Sequence, residues 1–166
     1  MGEALVATGQ ASLTPTAAER PRLRQADATV PDDTEQAAAA RMNRNRILAD
    51  GNRRFSLLIE EEVLRHRIAA PDVMAAQLAH LAEAAGLPAV ALGVVPFTAE
   101  RPMWPLEALT VFDDERVIIE LLSAPVTVAV PSEITLYVRA FERLGRLAVY
   151  GAGALNLITD AIAALS

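Results

Sequence analysis

The sequence predicts a single α+β domain: a central antiparallel sheet of about four to five strands with helices packed around it. Three observations point there. Short valine- and isoleucine-rich runs gather in the middle of the chain, helical periods lie on both sides of them, and an apolar pair of runs brackets an Asp-Asp-Glu turn. At 166 residues and 52% hydrophobic, the chain has material for one real core, built from alanine, leucine and valine because aromatics are only 4%.

Residues 1–30 are rich in Ala, Thr and Pro without a sustained period, and read as an irregular N-terminal arm with one short helix near 16–24. The domain proper is expected over 31–166. Asp32 with Glu35 three residues on has capping-box spacing, so a helix is expected from there to the Asp50-Gly51 turn. Residues 55–59 read as a strand and a helix follows from Glu61. Pro71-Asp72 opens a better helix, with Met74, Leu78, Leu81 and Ala85 on one face and Gly86 and Pro88 after it.

AVALGVVPF reads as a buried strand stopped by Pro96, and the proline-rich TAERPMWPLE as an exposed, irregular loop. LEALTVF and RVIIELL form a hairpin around Asp113-Asp114-Glu115, and APVTVAV adds a strand. Ser132 is the expected cap of a helix whose Ile134, Tyr137, Val138, Phe141, Leu144 and Ala148 share one stripe. Gly151–Gly153 breaks it, and a last apolar helix runs to Leu165.

Charge and composition exclude several classes. A net charge of −6 argues against a general nucleic-acid binder, which needs a basic footprint. Residues 41–67 do hold seven arginines against four acids, read as a solvated helix face and a turn. Without cysteine there are no disulfides, thiolate catalysis or cysteine-held metals. The start lacks a signal-peptide pattern, and no apolar stretch reaches the ~20 residues of a membrane span, so a cytoplasmic protein without membrane contact is expected.

The chemistry-bearing residues concentrate in FSLLIEEEVLRHRI at 55–68. Glu62 and His66 are four apart and share a helical face, while Glu61 and Glu62 sit where a helix macrodipole favours carboxylates. Leu64 and Ile68 are the expected buried face. His80, the only other histidine, faces solvent by period counting, so no metal site is expected. Glu120 closes the apolar strand VIIE and needs solvent or a partner, with Arg65, Arg139 and Tyr137 as candidates. Glu61, Glu120 and His66 are the candidate acid–base residues, and a paired structural carboxylate is the bland reading beside them. Trp104, Arg101 and Phe97 lie in the stiff proline-rich loop, and with Arg65 and Tyr137 they are the candidate ligand-binding residues.

The order of these segments resembles the domain of unknown function that follows the XRE-type helix-turn-helix in many actinobacterial regulators, the WhiJ-like and antitoxin-like group. The resemblance runs from about residue 33 to the end, through ARMNRNRIL at 40–48, RFSLLIEEEVLRHRI at 54–68, VMAAQLAHLAEAAGLPAVALGVVPF at 73–97 and YVRAFERLGRLAVYG at 137–151. Glu61 with Leu64 and Arg65 falls on that family's E-x-x-L-R, Gln77-Leu78 on its Q-L, Val95-Pro96-Phe97 on its V-P-F, and Glu120 on the glutamate closing its second hairpin strand. The family's R-x-x-R-Q departs here, since Arg41 and Arg44 are followed by Asn45. No helix-turn-helix is legible in the first 30 residues, so DNA binding is not carried over.

The resemblance implies a stand-alone regulatory module that binds a small-molecule ligand or a small partner protein without touching nucleic acid. The alternative is a cofactor-free biosynthetic enzyme, of cyclase or isomerase type, using the same pocket in secondary metabolism. No cofactor is expected in either case, and the oligomeric state, a homodimer included, stays open.

Overall fold

The computed structural model describes residues 2–7 (backbone only), 53–103, 107–121 and 124–165. Among the described residues there are seven strands: β1 (Gly2–Ala7), β2 (Arg54–Glu60), β3 (Val90–Val95), β4 (Leu109–Phe112), β5 (Arg116–Glu120), β6 (Pro125–Val128) and β7 (Val149–Tyr150). The helices are α1 (Glu61–Arg65), α2 (Pro71–Ala85), α3 (Pro131–Gly145) and α4 (Ala152–Ala163). The α+β class stands.

The sheet departs from the expected one. Its order is β6-β5-β4-β1-β2-β3-β7, two three-stranded blocks joined through β1. The β4–β6 block is antiparallel, as the hairpin predicts, but β1, β2 and β3 run parallel. The reason is connectivity. Parallel neighbours need a crossover, and α1 and α2 supply it between β2 and β3. β1 falls inside the segment read as an irregular arm. The helices expected near 16–24 and 32–50 lie outside the described residues.

Two apolar layers sandwich the sheet. On one face Ile59, Leu92 and Val94 meet Val63 and Leu64 of α1, Leu78 and Leu81 of α2, and Ala154, Ile158 and Ala161 of α4. On the other, Leu58, Leu109, Val111, Val117 and Ile119 meet Ile134 and Leu144 of α3, with Tyr137, Val138, Phe141 and Ala148 against them. Leu58 and Ile59 thus leave β2 on opposite faces, the alternation of a strand covered on both sides. The expected stripe holds for Ile134, Tyr137, Val138, Phe141 and Leu144, but α3 stops at Gly145, well before Gly151: Ala148 packs from beyond the helix, and Val149–Tyr150, read as helix, form β7.

Helix starts differ in detail. Val130 is the N-cap of α3 and Pro131 its first residue, so Ser132 sits inside the first turn and no side chain caps the helix. Proline's fixed φ and missing N–H suit that first position. At the hairpin, Asp113 and Asp114 both have positive φ (48 and 61) and Glu115 N donates to Phe112 O at 2.8 Å, the geometry of a primed hairpin turn. Among the described residues, no helix is long and apolar enough to cross a membrane.

Candidate functional site

Glu60 and Glu61 are the buried charged residues of the chain's described part, 6% and 7% exposed, and they stand side by side. Glu60 ends β2 and Glu61 begins α1, at the carboxyl ends of the parallel strands β2 and β3, where Glu60 pairs with Val95. A buried carboxylate is costly unless its oxygens are satisfied. Here each is, and every partner but one comes from the chain just after β3.

Arg101 meets Glu60 with two nitrogens, Nη1 to Oε1 at 2.9 Å and Nη2 to Oε2 at 2.6 Å. This is the bidentate fork that guanidinium and carboxylate favour. Arg101 Nη2 also donates to Pro96 O at 3.4 Å. The Glu60 hydrogen bond outweighs the burial that opposes it, and raises the Arg101 pKa above its ordinary value. Glu61 divides its oxygens. Oε1 accepts from Nε and Nη2 of Arg65, at 3.1 and 2.8 Å, and Oε2 accepts the Phe97 backbone N–H at 2.9 Å. The Arg65 guanidinium then lies 6.0 Å from the centroid of the exposed Phe97 ring.

The topology explains why this loop needs holding. The chain leaves β3 at Val95 and must reach β4 at Leu109, and β2 and β1 stand between those strands in the sheet. The loop therefore passes the carboxyl ends of both, pinned at Phe97 and Arg101. At its far end Glu107 neighbours the Tyr137 phenol of α3; burial first, then the Glu107 charge and hydrogen bond, raise the Tyr137 pKa.

Four of the expected site residues therefore converge: Glu61, Arg65, Phe97 and Arg101. The others do not join them. The apolar strands that end at Glu61 and Glu120 read from the sequence as neighbours, which would bring the two carboxylates together. Glu120 does lie at the same end of the sheet, but β4 and β1 separate β5 from β2, roughly 14 Å at three strand spacings. Tyr137 meets Glu107 and not Glu61. His66 fails as the i+4 partner of Glu62 because α1 stops at Arg65, leaving His66 extended at φ −66, ψ 127. The pair that forms four apart is Glu61 with Arg65, one register earlier. Ile68, expected in the core, is 65% exposed for the same reason: the helix that would have buried it has ended. Trp104 lies outside the described residues. His80 is exposed as expected, 3.7 Å from Glu83.

Glu60 is the residue the sequence reading missed. It read as the last position of a strand followed by a helix start, and its partner is 41 positions away. The available signal was an acid two positions after the apolar Leu58, on the same side of the strand and next to its buried end, Leu58–Ile59. Among the described residues, no grouping of three or more His, Asp or Glu is arranged to hold a metal ion.

Compared with known proteins, the chain matches a family described as a domain of unknown function (DUF5753), over residues 16–160. The match begins inside the segment read as the arm. No curated protein and no solved structure matches the chain.

Proposed function

We propose, from the premise that the chain belongs to the DUF5753 family, that it is a ligand- or partner-binding regulatory module whose site is the sheet end crossed by residues 96–103. One observation carries the reading: two consecutive buried carboxylates hold that loop at the carboxyl ends of parallel strands, the place where open sheets collect ligands. The same observation favours binding over catalysis. Both oxygens of Glu60 and both of Glu61 already accept hydrogen bonds from the chain, so both acids are engaged in holding the loop. A cyclase or isomerase of cofactor-free type is the reading this disfavours.

The experiment is amide hydrogen exchange on the purified chain, alone and with a metabolite panel or candidate partner proteins. Binding at the site slows exchange at Phe97 and its neighbours and raises the melting temperature. Turnover of a panel compound without such protection, lost on Glu61→Gln in a normally folded chain, overturns the reading in favour of catalysis.

A further inference from the structure

The outer face of α3 is the second surface with organised charge. Its inner stripe is fixed by the core. Opposite that stripe stand Leu136, Arg139, Arg143 and Arg146, all exposed, with Leu136 64% so. At 3.6 residues per turn they fall within a sector of roughly 80° and span about 15 Å along the axis. Glu133 and Glu142 flank the sector from either side.

Several other described arginines are engaged: Arg65 by Glu61, Arg67 by the Ala164 carbonyl, Arg101 by Glu60, and Arg116 by the Phe112 ring at 4.5 Å. Arg139, Arg143 and Arg146 have no hydrogen-bond or ion-pair partner among the described residues. Position i−4 of Arg139 is Thr135, whose hydroxyl donates to the Pro131 carbonyl, and position i−4 of Arg143 is Arg139. Like charges four apart weaken a helix, so the Arg139–Arg143 pair opposes α3's own stability, whereas Arg143 in the last turn and Glu142 four before Arg146 favour it.

We infer that this face docks an acidic amphipathic helix of a partner protein, its carboxylates over the three guanidiniums and an apolar side chain against Leu136. Charge complementarity decides the partner's sign: a chain of net charge −6 gathers three unpaired cations in one sector. Leu136 decides its class. A phosphate backbone has nothing to set against an exposed leucine, whereas a helix with carboxylates at i, i+4 and i+7 repeats the 139–143–146 row and places an apolar residue beside it. The surface is separate from the sheet-end site, yet α3 touches both, since Tyr137 on its inner side neighbours Glu107 at the end of the 96–108 loop.

The test uses fluorescence anisotropy with a synthetic helical peptide bearing Glu at i, i+4 and i+7 and a flanking Leu. A Gln-for-Glu peptide, an oligo-dT strand and phosphatidylserine vesicles are the comparison probes. The Glu peptide binds at low salt and weakens by about tenfold or more in Arg139→Glu/Arg143→Glu. Arg139→Gln/Arg143→Gln gives an intermediate loss with melting unchanged or raised, and circular dichroism confirms that Arg139→Glu/Arg143→Glu, which keeps like charges four apart near the helix C-terminus, is folded when its binding is read. No binding of the Glu peptide, equal binding of the Gln peptide, equal binding by the reversed variant, or preference for the oligonucleotide or vesicles overturns the inference. Hydrogen exchange at residues 96–103 stays as it was in these variants, so failure here is distinguishable from failure at the sheet-end site.

Discussion

Arg101 reaches Glu60 across 41 positions of chain and closes on it with two parallel hydrogen bonds of 2.9 and 2.6 Å. The carboxylate is 8% exposed and the guanidinium 26%, so the arginine is the lid on a charge that the fold has taken out of water. Removing one partner of such a pair costs more than the pair contributes, because the other is left buried alone.

Arg101→Ala is therefore expected to destabilise the chain by about 2–3 kcal/mol, below the usual range for a fully buried pair because Arg101 is partly solvated. Glu60→Gln in the same background restores part of the loss. Urea denaturation of the double-mutant cycle measures both. Additive effects of the two changes contradict the pairing.

Gly93 sits on β3 opposite Tyr150 of β7. A Cβ there would stand 2.7 Å from Tyr150 Cε1 and 2.8 Å from Leu58 Cδ2. Gly93→Ala is expected to lose about 1–3 kcal/mol by overpacking. Tyr150→Ala, which clears one side, makes the second substitution less costly than it is alone. A full, undiminished penalty in the double variant would sink this account.

Two phenols titrate late. Burial raises the Tyr150 pKa above 10.0, and burial with the Glu107 carboxylate raises that of Tyr137. Each keeps its proton in the folded chain after the unfolded one has lost it. The stability they contribute is thus complete below about pH 10 and declines as pH climbs through the folded values. Melting curves between neutral and strongly alkaline pH follow this. Tyr137→Phe and Tyr150→Phe each flatten the alkaline decline.

The β4–β5 turn keeps two aspartates at positive φ, 48 and 61, where glycine is at no disadvantage. Asp114→Gly is expected to raise stability by roughly 0.5–1 kcal/mol. Thermal unfolding checks it, and a lowered midpoint refutes it.

The strands and helices were legible because their signals are local. Continuous apolar runs at 57–59 and 90–95 mark strand segments covered on both faces, and that continuity was also the available clue to parallel pairing. β1 was not legible: GEALVA is six residues in an Ala- and Thr-rich stretch, and its place between β2 and β4 is decided by partners far along the chain. The candidate site divides the same way. Arg65 on Glu61 follows from a four-residue spacing, whereas Arg101 on Glu60 and the Phe97 N–H on Glu61 arise only once β2 and β3 lie side by side. The Glu62–His66 spacing misled because a five-residue helix ends before the fourth step is taken.

The bridging place of β1 has a consequence for synthesis. The ribosome makes this strand before either of its neighbours, and it pairs Glu3 with both Phe55 of β2 and Phe112 of β4. The hairpin and the β2–β3 unit can each assemble from neighbouring sequence as they emerge. Joining them waits on β1, whose edge toward β4 stays unpaired until Leu109–Phe112 leave the exit tunnel, even after β2 is available to the other edge. The slow step of folding is then the closure of the long loop between β1 and β4, Glu3 to Phe112.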